Sequence, residues 1–212
     1  MPEIGCWALA GPAAHAFPAN QPFASYWFPN ELLIWDPVTD PDAPHHRGAV
    51  PLRNRFTNPA TQVNANARDG EAGVVAINVM YPSTSNNPSQ GSSQFGVHAF
   101  GFWQYVDLLV FWGGSAGEGL ILAPSADVID SGHRNGVPVL GTIFLPPNVY
   151  GGQIQWLHDL VQKDGNDFPV ADKLIEAATY YGFDGWFFNQ ETNGADSALA
   201  AQTQEFLLYF QA

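Results

Sequence analysis

Cysteine occurs once in the 212 residues, at Cys6, which excludes a disulfide framework and cysteine-ligated zinc. Lysine occurs only at Lys163 and Lys173, and no cluster of basic residues exists. Seven Lys and Arg against 20 Asp and Glu give a formal net charge of −13, which repels phosphate backbones and anionic membrane surfaces. Nucleic acid is therefore not an expected partner. No apolar run approaches the roughly 18 residues of a membrane span, so no membrane partner is expected either. The stretch 4–17 is mildly apolar and ends near Ala14-His15-Ala16, but Glu3 stands before it and the first basic residue is Arg47. A signal peptide is not supported, and the compartment is left open. His45, His46, His98, His133 and His158 show no ligand spacing backed by nearby acids, so no metal or other cofactor is expected.

Charged residues make up 13% of the chain, about half the usual quarter, whereas hydrophobic residues reach 46%, enough for a sizeable core. At about 100–200 residues per domain the length suits one domain. Twenty-one Gly, 17 Pro and 14% aromatic residues point to long structured loops carrying rings.

Residues 1–70 lack sustained periodicity, apart from one short helical turn expected over 29–35 before Pro37 and Pro41. From residue 71 four apolar runs follow, at 74–80, 106–112, 137–145 and 183–191, each entering a loop rich in Gly, Pro, Ser or Asn. Their starts lie 32, 31 and 46 residues apart, the length of a βα unit of about 30 residues or more. Near-continuous apolar strands suit a parallel sheet covered on both faces. Helices are expected from Pro124 to Gly136, over 154–163 with Ile154, Leu157, Leu160 and Val161 on one face, over 169–181 between Pro169 and Gly182, and over 195–211. A (β/α)8 barrel needs eight such units and about 250 residues, whereas an open doubly wound sheet is complete with four or five strands. Length alone favours the open sheet. The apolar helical face at 206–212, on which the chain stops, looks cut, so a truncated barrel and a small open sheet both stand at this point.

The fourth run carries the candidate chemistry. Side chains alternate along a strand, so Phe187, Asn189 and Glu191 share one face. Asn189 and Glu191 fall at the C-terminal end, where parallel α/β folds place their active sites. A capping Asn followed by a solvated Glu is the plain structural alternative. As a site, the pair is constrained: ordinary retaining glycosidases use two carboxylates, and position 189 holds an amide, which is no nucleophile. An Asn instead orients a 2-acetamido group, whose carbonyl oxygen attacks the anomeric carbon to give an oxazoline-type intermediate. Glu191 then acts as acid and later as base.

A rival motif, Gly113-Gly114-Ser115-Ala116-Gly117, matches G-x-S-x-G after the second run. A nucleophile elbow requires a helix directly after it, and here residues 118–123 intervene. No histidine follows His158, and Asp127, Asp130 and His133 fall within one expected helix. A glycine loop over a pocket is the better account of Ser115. Trp103, Trp156 and Trp186 are read as packing residues. Trp112 ends its strand on the presumed active face and is read as a sugar contact.

Residues 106–115, 133–142 and 183–192 together resemble family 85 glycoside hydrolases, the endo-β-N-acetylglucosaminidases, in the family's order. The resemblance covers roughly residues 20–212. It implies a TIM-barrel, (β/α)8 α/β fold and cleavage between the two core GlcNAc residues of N-linked glycans on glycoproteins, by the oxazoline route, with transglycosylation as a side activity. It implies Asn189 as the acetamide-orienting residue and Glu191 as acid/base. Trp112, Phe144 and Tyr150 match positions lining the sugar subsites, and Asn148 belongs to the same loop as Tyr150. The family's barrel has four further strands. Residues 1–70 are thus read as an entry segment and 71–212 as the first half of the catalytic barrel, with the missing C-terminal half as its partner and little turnover expected without it. A non-catalytic glycan-binding module and a serine hydrolase using Ser115 are the competing functions.

Overall fold

The computed structural model describes residues 26–55, 72–79, 100–117 and 119–211. The apolar stretch 4–17, Cys6 and His98 lie outside these residues. Six strands and five α-helices are present among them. In chain order they are β1 (Tyr26–Trp27), α1 (Pro29–Ile34), β2 (Val75–Val79), β3 (Leu108–Trp112), β4 (Ile121–Leu122), α2 (Ala126–Arg134), β5 (Val139–Leu145), α3 (Ile154–Leu160), α4 (Pro169–Tyr181), β6 (Gly185–Gln190) and α5 (Ser197–Phe210). The four expected runs are β2, β3, β5 and β6.

These four are parallel and lie side by side in chain order: β2 on β3, β3 on β5, β5 on β6. A doubly wound sheet reverses its strand order at a switch point. No reversal occurs among these strands. The departure from expectation is β1 and β4, two residues each and antiparallel. β3 pairs with β5 only through Leu109↔Val139 and Val110↔Leu140. It then diverges, and β4 takes the vacated edge through Ile121↔Ile143 and Leu122↔Thr142, with β1 beyond it. The Thr142 hydroxyl donates to the Phe111 carbonyl at 2.7 Å, which satisfies an acceptor where β3 leaves the ladder. Gly141 makes the approach of β4 possible, because a Cβ there would stand 2.7 Å from both the Leu122 carbonyl and the Trp186 ring.

The helices follow their punctuation. α4 starts at Pro169, and Gly182 beyond its end has φ +80°, so that Gly182 and Phe183 N–H both return to the Ala178 carbonyl. Its Val170, Ala171, Leu174, Ala177 and Tyr181 form one buried stripe. α5 begins at Asp196, whose carboxylate accepts from Leu199 N–H at 2.8 Å. The apolar residues at its end are used within the chain: Phe206 and Tyr209 pack on the Phe168 ring, at 5.6 and 5.4 Å. α2 and α3 are shorter than expected, ending at Arg134 and Leu160.

Residues 27–43 contribute to the main core. Trp27, Leu32, Trp35 and Ala43 pack with Tyr181, Leu174 and Leu160. Residues 48–50 are tied down by backbone and side-chain bonds: Gly48 N–H to the Tyr181 carbonyl, and Ala49 and Val50 N–H to the Asp130 carboxylate. Both His133 ring nitrogens face oxygen acceptors, the Val50 carbonyl at 2.6 Å and Asp184 at 2.8 Å. Asp184 also accepts from Val139 N–H, joining the starts of β5 and β6. No helix among the described residues is long and apolar enough to cross a membrane.

Candidate functional site

Parity along the parallel strands sorts the two faces of the sheet. Ile143 and Leu145 on β5, with Trp186 and Phe188 on β6, point into the main core under the helices. The alternate positions form the other face. There Phe144 is directly opposite Asn189 in the register. The Trp112 ring lies 5.1 Å from Phe144 and 6.0 Å from Phe187, giving an aromatic floor at the C-terminal ends of β3, β5 and β6. Asn189 closes β6 on this face, and Glu191 follows two residues later, exposed. The Asn189 Nδ2 amide donates to Glu191 Oε1 at 2.8 Å. An amide and a carboxylate thus stand together beside three rings. In general an amide can orient, and a carboxylate can exchange protons with, a polyol stacked on an aromatic surface.

The loop bearing Glu191 is fastened residue by residue to the loop after β5. Glu191 N–H donates to the Leu145 carbonyl at 2.8 Å. The buried Thr192 hydroxyl donates to the Pro146 carbonyl at 2.7 Å. Asn193 N–H donates to Asn148 Oδ1 at 3.0 Å. Asn148 therefore uses its side-chain oxygen as a loop tie. Tyr150 stands on the same 3-10 turn (Asn148–Tyr150), 71% exposed, and makes no ring contact with Trp112 or Phe144. The structure thus gathers Trp112, Phe144, Asn189 and Glu191 on one face and leaves Asn148 and Tyr150 on the adjoining loop.

Phe187 and Thr192 were not among the expected site residues. Phe187 carried a signal, its shared parity with Asn189 and Glu191. Thr192 carried none, since its partner is 46 positions away.

The G-x-S-x-G segment is a closed turn. Ser115 and Gly119 exchange backbone bonds at 2.9 and 3.1 Å, and the next helix begins only at Ala126. It follows the C-terminal end of β3, whereas His133 is held at the opposite end of the sheet with Asp184. Asp127 accepts from the Ser125 hydroxyl. These groups form no triad. Among the described residues no group of three His, Cys, Asp or Glu side chains is placed to hold a metal ion.

The chain is similar to several known proteins. Residues 81–212 match the family model described as glycosyl hydrolase family 85. The cytosolic endo-beta-N-acetylglucosaminidase of Mus musculus is 33% identical over 124 residues, 58% of this chain and 16% of that protein. The protein of the same name from Gallus gallus is 29% identical over 189 residues, 86% of this chain and 23% of that protein. The crystal structure of the glycoside hydrolase domain of Endo-D from Streptococcus pneumoniae R6 superimposes with a TM-score of 0.69 at 38% identity, covering 85% of this chain and 27% of that one. The chain thus spans about a quarter or less of the length of the proteins it matches. A family match over residues 81–212, which include β6, Glu191 and the aromatic floor, settles the lineage: the chain belongs to glycosyl hydrolase family 85.

Proposed function

We propose that the chain carries the catalytic pair of an endo-β-N-acetylglucosaminidase, acting on the GlcNAc-β1,4-GlcNAc core of N-linked glycans by substrate-assisted, retaining hydrolysis. The observation that carries this reading is the Asn189–Glu191 pair, 2.8 Å apart beside Trp112, Phe144 and Phe187. A sugar ring stacks on the aromatic floor. Its 2-acetamido group takes the Asn189 amide, which turns the acetamide oxygen toward the anomeric carbon. Glu191 protonates the departing glycosidic oxygen as the oxazoline ring closes. It then removes a proton from the water, or from the acceptor sugar in transglycosylation, that opens the ring. Asn148 and Tyr150 extend the subsite from the loop after β5, Asn148 through the amide nitrogen that its loop tie leaves available.

The sequential order of β2, β3, β5 and β6 supports placing them as the first four strands of a (β/α)8 barrel, with residues 1–70 as the entry segment. The other four units, on further polypeptide, then complete the substrate cleft and are the partner the half-barrel needs.

The Asn189→Ala variant separates this mechanism from two-carboxylate hydrolysis. It should lose cleavage of glycoprotein by about 10²-fold or more while retaining reaction with a preformed oxazoline donor. Equal rates of glycoprotein cleavage for native and variant chains would refute the mechanism.

A further inference from the structure

The sequence holds two Asn–Gly dipeptides, Asn135-Gly136 and Asn193-Gly194. In such a pair the glycine nitrogen is unhindered and sits within reach of the preceding side-chain amide. The structure treats the two pairs very differently.

At 135–136 both reacting groups are held. Asn135 Nδ2 donates to the Ser131 carbonyl at 2.8 Å, and Gly136 N–H donates to the His133 carbonyl at 3.1 Å. Gly136 is also packed against backbone, since a Cβ there would lie 2.6 Å from Arg55 Cα. Movement of the Gly136 nitrogen onto the Asn135 side chain must break both bonds and unseat the end of α2.

At 193–194 neither group is held. Both residues are exposed, in the loop between β6 and α5. Among the described residues the Asn193 side chain and the Gly194 N–H make no hydrogen bond, and a Cβ at Gly194 would meet nothing closer than 3.8 Å. Only the Asn193 N–H is anchored, to Asn148 Oδ1. The backbone is thus fixed on one side of the side chain and free on the side where the attacking nitrogen lies.

We infer that Asn193-Gly194 is a self-modification site, at which the chain cyclises to a succinimide and opens to aspartyl and isoaspartyl products. The deprotonated Gly194 nitrogen attacks Asn193 Cγ. A C–N bond forms, and Nδ2 departs with a proton as ammonia. One water then opens the five-membered ring at either carbonyl, leaving a carboxylate. One water is consumed and one ammonia released, with no oxidant or enzyme required. The product adds a negative charge to the loop that starts at Glu191. The isoaspartyl form also lengthens the main chain by one carbon between the Asn148 anchor and α5. The chemistry is independent of whether the chain cleaves glycans.

The test is incubation of the folded chain over days in mildly alkaline buffer, which promotes loss of the amide proton, with peptide mapping and enzymatic methylation to count isoaspartyl groups. The expected result is a mass gain of about 1 Da on the peptide holding Asn193, with isoaspartate formed there. The rate at Asn193 should exceed that at Asn135 by at least about tenfold, the factor that about 1.4 kcal/mol of hydrogen bonding supplies. Unfolding in denaturant should bring the two rates together. Asn193→Gln and Asn193→Ser should abolish the main isoaspartyl signal, and Asn135→Gln should leave it intact. Equal rates at the two sites in the folded chain would overturn the inference, as would an isoaspartyl signal unchanged by both Asn193 variants.

Discussion

His46 makes the stability of this chain depend on pH in a direction that can be worked out in advance. Its ring is 0% exposed, packed edge-on at 6.4 Å from the Tyr181 ring, and neither nitrogen makes a hydrogen bond among the described residues. Burial lowers its pKa from 6.5 to about 4, with the nearby Asp40 carboxylate opposing that effect and His45 adding to it. Between those two values the unfolded chain binds a proton that the folded chain refuses. Stability therefore rises with pH across this window and is lost as the pH falls from 6.5 toward 4. At about 1.36 kcal/mol per pH unit the full loss is about 3 kcal/mol, of which about 2 kcal/mol is already gone at pH 5. The assay is urea denaturation at neutral pH and at pH 5, for the native chain and for His46→Leu. Carboxylates elsewhere contribute equally to both chains, so the difference between them isolates the ring. The native chain should lose about 2 kcal/mol more than the variant on acidification. A difference that stays constant with pH would show that His46 binds its proton equally well in the folded and unfolded chain and would refute the reasoning.

Two further substitutions probe the scaffold that holds the site. Thr192→Val keeps the shape of the side chain but leaves the Pro146 carbonyl without its donor, and should cost about 1–3 kcal/mol by denaturation, with Thr192→Ser recovering most of it. Gly141→Ala places a methyl group against the Leu122 carbonyl and the Trp186 ring; a loss of about 1–3 kcal/mol is expected, together with a change in the near-UV signal of Trp186.

Much of the scaffold was legible because several signals agreed at once. The strands β2, β3, β5 and β6 are apolar runs that lead into stretches rich in Gly, Pro, Ser or Asn, and α4 is bracketed by Pro169 and Gly182. The strands β1 and β4 left no trace, because two residues carry no period; they exist because β3 diverges and exposes an edge of β5. Strand order was equally hidden. The spacing of βα units says nothing of which strands become neighbours, and the pairing of β3 with both β2 and β5 joins segments far apart in the chain. The shared face of Asn189 and Glu191 follows from their separation of two. Their hydrogen bond, and the ties from Thr192 and Asn193 to Pro146 and Asn148, depend on how two distant loops meet. Asn148 shows the consequence, because a side chain expected to face sugar has its oxygen engaged by the backbone.

The most direct test of the central claim is the intact mass of a glycoprotein bearing high-mannose chains, after incubation with the native chain and with Glu191→Gln. The account predicts slow loss of the glycan down to a single GlcNAc by the chain alone, with the variant slower still by about 10²-fold or more, the contribution of a positioned acid/base group. The same assay repeated with the polypeptide that completes the barrel should raise the native rate and leave the variant behind. Glycan release by Glu191→Gln at the native rate would contradict the account, because the proton would then come from some other group.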